Sequence, residues 1–204
     1  METLKKIIKR LAGNQYFVWI LLAIPLLLLF FEDSSSYASS EVFPEELYHE
    51  IMHKTGELSV RLLLLTLIIT PLIKIFGRNI FFDWLKKNRR AFGVTCFCYG
   101  LVHMTTYLFY NNYNTIVEEL ATTRITAGGV AIIIMTPLAI TSANWAFKKM
   151  GGGNWKKLHR FTYVVAVLIF LHLALLEGEI AGALVQFGLL LTLEVMRIFK
   201  SRRS

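Results

Sequence analysis

Charge is scarce in this chain: Asp, Glu, Lys and Arg make up 18% of its 204 residues, whereas soluble domains carry about 25%. With 55% hydrophobic residues and a mean hydropathy of +0.52, that is the composition of a membrane protein. Cysteine is nearly absent. Cys96 and Cys98 lie two apart in an apolar run, a spacing that suits neither a disulfide framework nor a tetrahedral metal site, so both read as small buried hydrophobes. Period-two alternation is missing from the apolar runs, and an open sheet cannot cross hydrocarbon, which excludes strands as the spanning elements. A small-residue cleavage site is missing too. The start "METLKKIIKRLAGNQYFVWILLAIPLLLLFF" has the positive head and apolar run of a signal peptide, but the run is too long and no A-x-A precedes the acidic stretch; it reads as an uncleaved signal anchor.

What is present is a series of six apolar segments: Tyr16 to Phe31, Leu58 to Phe76, Ala91 to Tyr110, Ile125 to Thr141, Leu158 to Leu176 and Ile180 to Phe199. Pro25, Pro71 and Pro137 fall inside segments, where a spanning helix tolerates proline if neighbours satisfy the freed carbonyls. The expected architecture is an all-α bundle of six transmembrane helices forming one domain over residues 1–204. No connection is long enough to fold alone, including the 26-residue outer loop Glu32 to Glu57.

The position of the basic residues sets the orientation. Four Lys/Arg precede Asn14, six lie between Lys74 and Arg90, five between Ser142 and Arg160, and four follow from Arg197 onward, so 19 of 22 fall on one side. The opposite side carries "EDSSSYASSEVFPEELYHE", "NNYNTIVEELATTR" and the turn around Glu177 and Glu179. Both termini are therefore expected in the cytoplasm. The net charge of +8 is a topology signal rather than a footprint for nucleic acid.

Histidines inside the apolar segments are the strongest chemical signal. His103 stands about 18 Å of helix beyond Ala91, and His172 about 21 Å beyond Leu158, on segments that run the same way. The two imidazoles can occupy one level. A histidine at that depth needs partners for its nitrogens, and two opposed neutral imidazoles holding the iron of a flat apolar macrocycle meet that need. A structural pair satisfied by hydrogen bonds is the alternative. Cys96, Tyr99, Gly100 and Tyr107 share the stripe of His103; Gly100 either admits a porphyrin or permits close helix packing, and Tyr107 could bound the ring's edge.

His159 lies thirteen residues before His172, about 20 Å lower and roughly 140 degrees around the helix, so a second site there needs a kink or an offset ring. At the corresponding level of segment three stand Arg89 and Arg90, poor iron ligands but good partners for propionate or phosphate. With Trp145, Lys148, Lys149, Trp155, Lys156, Lys157 and Arg160 they make a basic cytoplasmic rim, either a candidate anion site or ordinary flanking charge with interfacial tryptophans. "MGGGNW" is not a dinucleotide fingerprint. Arg61 and Arg124 violate the charge rule at the outer side, where they could pair with propionates or with Glu57 and Glu119. "HEIMH" at 49 to 53 matches the H-E-x-x-H pattern, but no third ligand is near and a zinc hydrolase is not expected.

Five stretches carry a likeness: "HKTGELSVRLLLLTLIITPL" at 53 to 72, "RRAFGVTCFCYGLVHMTTY" at 89 to 107, "TPLAITS" at 136 to 142, "NWKKLHRFTYVVAVLIFLH" at 154 to 172, and the helix that follows. In that order they resemble the ferric-reductase-like transmembrane family, and within it the haem-binding membrane subunits of bacterial methionine sulfoxide reductase systems. The resemblance implies a six-helix haem b protein of the inner membrane, taking electrons from quinol or a cytoplasmic flavin reductase and passing them to a periplasmic molybdopterin enzyme. FMN is a further cofactor it implies. The family's histidines map onto His103, His159 and His172. The wider group has two histidines on helix three, and this chain departs from it in having arginine at 89 and 90, so one bis-histidine haem is implied and a second, through His159, is open. His53 matches the family motif at the outer rim, where it could contact quinone or a partner. Outside this resemblance, a stand-alone ferric or quinone reductase cytochrome, a cofactor-free transporter relaying protons through buried histidines, and a structural assembly subunit are the competing classes.

Overall fold

A computed structural model describes residues 15–36, 45–176 and 180–203. Among these the secondary structure is entirely helical: α1 (Gln15–Ser36), α2 (Glu45–Phe76), α3 (Ile80–Tyr110), the short α4 (Tyr113–Leu120), α5 (Thr123–Ile140), α6 (Asn144–His159), α7 (Phe161–Ala174) and α8 (Ile180–Arg203). The charge clusters before Asn14 and around Glu177 and Glu179 lie outside the described residues.

Five helical stretches are long and apolar enough to cross a membrane: Glu45–Phe76, Ile80–Tyr110, Thr123–Ile140, Asn144–Ala174 taken across the turn at Arg160, and Ile180–Ser201. The shorter apolar stretch Tyr16–Leu29 belongs to α1. The chain is thus an all-α multi-pass protein.

Two helices begin earlier than the apolar runs alone indicate. α2 starts at Glu45 rather than Leu58, so the second half of the expected outer loop is helix continuous with the span. The reason is visible in its buried face, where Tyr48, Ile51 and Thr55 recur at helical spacing within a polar stretch. Likewise α3 starts at Ile80 rather than Ala91, burying Leu85 and Asn88 between exposed lysines. Asn79 caps it, its side chain accepting from the Phe82 backbone N–H at 2.8 Å. Gly77 ends α2 at a φ of +83, a conformation that an L side chain resists. Gly151, at +74, breaks α6 into two short pieces at the basic rim.

α2 is the centre of the bundle. It packs along α3 and against α8, while α5 packs along α7 and also touches α3. Leu67, Ala131 and Val165 have no exposed surface at this centre, surrounded by Leu63, Ile69, Phe92 and Cys96. The outward faces are apolar too, with Ile133, Val185 and Leu191 largely exposed. Lipid tails solvate such faces as well as leucine does, so the helices associate through close packing and interhelical hydrogen bonds. Such bonds are present: Ser59 on α2 donates to the Cys96 carbonyl on α3 at 2.9 Å, and the Tyr99 hydroxyl donates to the Leu22 carbonyl on α1 at 2.9 Å.

Candidate functional site

α3 and α7 bring His103 and His172 opposite each other. The ring centroids are 6.3 Å apart and the ring planes perpendicular. His103 bonds through Nδ1 to the Met52 carbonyl of α2 at 2.9 Å, and His172 through Nδ1 to the Arg124 carbonyl of α5 at 2.9 Å. A carbonyl oxygen can only accept, so both Nδ1 atoms carry hydrogen, and in the neutral ring Nε2 is then the bare lone pair. Neither Nε2 has a hydrogen-bonding partner among the described residues.

That is the donor set of a bis-imidazole metal centre. Imidazole–metal bonds are about 2 Å long, which separates two rings on one metal by about 6 Å between centroids. The backbone carbonyls supply the outer hydrogen bonds that orient a ligating histidine and raise its basicity. Among the described residues no three His, Cys, Asp or Glu side chains converge as a metal cage. Two Nδ1-anchored imidazoles with ring centroids 6.3 Å apart fit an iron porphyrin held between them.

Glycine makes the approach possible. A Cβ at Gly56 would lie 3.0 Å from Nδ1 of His103, and one at Gly128 would lie 2.9 Å from Nδ1 of His172. Gly56 falls within the resembling stretch at 53 to 72, and Gly128 outside all of those stretches. Their signal was available: small residues in otherwise bulky helices, on the neighbours of the histidine-bearing segments. Gly100, by contrast, faces Ile132 of α5 and Ser59 of α2, so it serves close helix packing.

The outer arginines have protein partners. Arg61 pairs with Glu57 one turn before it on α2. Arg124 reaches Glu119 at 3.4 Å, and the same carboxylate accepts the Tyr107 hydroxyl at 2.8 Å. Tyr107 thus ties α3 to the end of α4. His49 and His53 of the "HEIMH" stretch are exposed on α2, where His49 sits 3.6 Å from Glu45, and no third ligand gathers among the described residues.

The basic rim is organised around Thr141, the C-cap of α5. Trp155 donates through Nε1 to the Thr141 carbonyl at 2.9 Å and stacks on His159, with centroids 3.9 Å apart. His159 contacts the Thr141 hydroxyl through Nε2 at 3.2 Å. That hydroxyl spends its one hydrogen on the Pro137 carbonyl at 2.6 Å, so the histidine nitrogen is the donor. His159 is therefore the opposite tautomer to the facing pair, with Nε2 engaged. Arg89 donates to Thr70 of α2 at 3.0 Å and Arg90 to the Asn144 side chain at 2.6 Å, which lashes α3 to the start of α6. Arg160 is an exposed residue at the α6–α7 turn.

Proteins named protein-methionine-sulfoxide reductase heme-binding subunit MsrQ are similar to the chain. The one from Yersinia enterocolitica is 35% identical over 160 residues, covering 76% of this chain and 75% of that protein. The one from Herminiimonas arsenicoxydans is 38% identical over 126 residues, covering 60% and 56% respectively. The one from Yersinia pseudotuberculosis is 32% identical over 160 residues, covering 76% and 74%. No solved structure is a significant match. The sequence profile described as ferric reductase like transmembrane component matches residues 55–170, a stretch that holds His103, His159 and both cradling glycines and ends two residues before His172. The chain belongs to the ferric reductase like transmembrane component family.

Proposed function

We propose that this protein is a haem b-binding electron-transfer subunit of the bacterial inner membrane, with six spans and both termini cytoplasmic. In this reading α1 is the sixth span, with Tyr16–Leu29 as its described apolar part. The acceptor is a periplasmic molybdopterin-containing methionine sulfoxide reductase, and the donor is quinol or a cytoplasmic flavin reductase. The similar proteins named heme-binding subunits of that reductase support the assignment. The observation that carries it is the facing pair His103 and His172, with both Nδ1 atoms tied to backbone and both Nε2 lone pairs open.

A haem held there supplies a one-electron iron couple inside hydrocarbon that otherwise blocks charge. The chain's own residues do the rest. His103 and His172 would bind through Nε2, Met52 and Arg124 orient the rings through their carbonyls, and the packed core of α2, α3, α5 and α7 excludes water. No bond-making side chain is needed, so the catalytic centre belongs to the partner. The basic rim with Arg89, Arg90, Trp155, His159 and Arg160 is where a flavin such as FMN, or a second haem, would shorten the path from the donor. In this reading Arg61, Arg124 and Tyr107 serve the outer cofactor by holding the helix ends around it.

Purified protein from haem-replete cells should be red, with a b-type spectrum by pyridine hemochrome, and His103→Ala and His172→Ala should each lose that haem. Full haem content in both variants sinks the assignment. A colourless wild type returns the field to the proton-relay transporter.

A further inference from the structure

The two histidines are held by the same local device, built twice from different helices. Each presses its ring against a glycine of the adjacent helix and bonds through Nδ1 to the carbonyl four residues before that glycine: Met52 with Gly56, and Arg124 with Gly128. In a helix that carbonyl already accepts the N–H of the glycine itself, and only its second lone pair is open to an outside donor. Helical Cα–Cβ bonds tilt toward the N-terminus, so a side chain at the later position would cover the turn bearing that lone pair. Removing the Cβ uncovers it.

A third case supports the logic. Ser59 donates to the Cys96 carbonyl, and the residue four further on is Gly100, whose Cβ would sit 3.4 Å from the serine oxygen. Tyr99 marks its limit: its long side chain reaches the Leu22 carbonyl with Leu26 four residues on. Glycine is required where the Nδ1 edge of a ring closes on the turn, not wherever a donor arrives.

We infer that Gly56 and Gly128 are positioning residues that fix the ring orientation and the Nδ1–H tautomer of His103 and His172, and so set the ligand strength of the haem site. The inference rests on the electron-carrier reading for its redox consequence, though not for the tautomer. An Nδ1–H bond to a carbonyl pushes electron density onto Nε2 and favours the oxidised metal. Displacing the ring weakens that bond, so the potential rises. The overlap is more severe at Gly128, at 2.9 Å, than at Gly56, at 3.0 Å. Gly129 is the internal control, one position further along the same helix with nothing within 4 Å of its would-be Cβ.

The experiment compares Gly128→Ala, Gly56→Ala and Gly129→Ala with wild type by haem per chain, redox titration and EPR of the oxidised protein. Gly128→Ala is expected to lose haem several-fold and to hold the remainder at a raised midpoint potential with altered low-spin anisotropy. Gly56→Ala should keep its haem with a smaller rise, and Gly129→Ala should match wild type. If Gly128→Ala does not accumulate, Gly56→Ala decides alone, and an unshifted potential and spectrum there overturns the inference. A haem-loaded wild type whose Gly128→Ala and Gly129→Ala variants behave alike also overturns it while leaving the electron-carrier reading intact. A haem-free wild type defeats that reading instead; 15N NMR of labelled histidines on the same preparation then decides, by whether the Nδ1–H signals of two hydrogen-bonded imidazoles vanish in Gly128→Ala.

Discussion

Arg124 serves two residues with two different groups: its backbone carbonyl accepts Nδ1–H of His172 at 2.9 Å, while its guanidinium reaches Glu119 at 3.4 Å. The first contact belongs to the haem-site candidate and the second to the outer rim. Because the bond to His172 comes from the main chain, it survives any side chain at 124. Arg124→Gln is expected to keep the haem and its spectrum, and to lower stability by no more than about 1 kcal/mol, since a partly exposed ion pair contributes little. Absorbance spectra and a thermal melt in detergent check this. A marked loss of haem would show instead that the guanidinium holds a propionate.

His159 is expected to be separable from the facing pair. Its Nε2–H is committed to Thr141 and its ring to Trp155. His159→Ala should leave the haem held by His103 and His172 in place, read as an unchanged low-spin signal from that centre, whereas His103→Ala should abolish it. Thr141→Val leaves the His159 donor unpaired and should cost about 1–3 kcal/mol, seen as a lower melting midpoint with the same signal retained.

The break in α6 depends on a left-handed residue. Gly151→Ala forces an L side chain into a positive-φ, extended-ψ region that is essentially glycine-only and should destabilise by about 1–3 kcal/mol. Gly153→Ala, with nothing within 4 Å of its would-be Cβ and no positive φ, should be neutral or stabilising by no more than about 1 kcal/mol. Paired thermal melts distinguish the two. Equal effects would mean that the turn tolerates either backbone.

Tyr99 fastens α1 to the bundle through its hydroxyl. Tyr99→Phe removes one interhelical hydrogen bond and should cost about 1 kcal/mol. The loss should be localised: hydrogen exchange in α1 is expected to quicken while the turns around His103 and His172 stay protected. Uniform quickening would place the phenol at the centre of the whole bundle's stability.

Much of this site was legible in the linear order of residues. Matching distances of His103 and His172 from the ends of their segments put them at one level before any coordinates, because rise per residue in a helix is constant. The alternative partners named for Arg61 and Arg124, namely Glu57 and Glu119, are the ones found. Helix starts were less legible. The first turns of α2 and α3 are polar and charged, and hydropathy registers composition, whereas Tyr48, Ile51 and Thr55 are buried by a neighbouring helix.

The chain's own order of residues determined that it is a helical membrane protein, since its long apolar runs have no other way to satisfy their backbone in lipid. It also determined which histidines share a depth. Only the tertiary structure decided which way each imidazole turns. That depends on a carbonyl from a different helix, 51 residues away for His103 and 48 for His172, exposed by a missing Cβ. Periodicity within one helix carries no information about which turn of another helix it will meet.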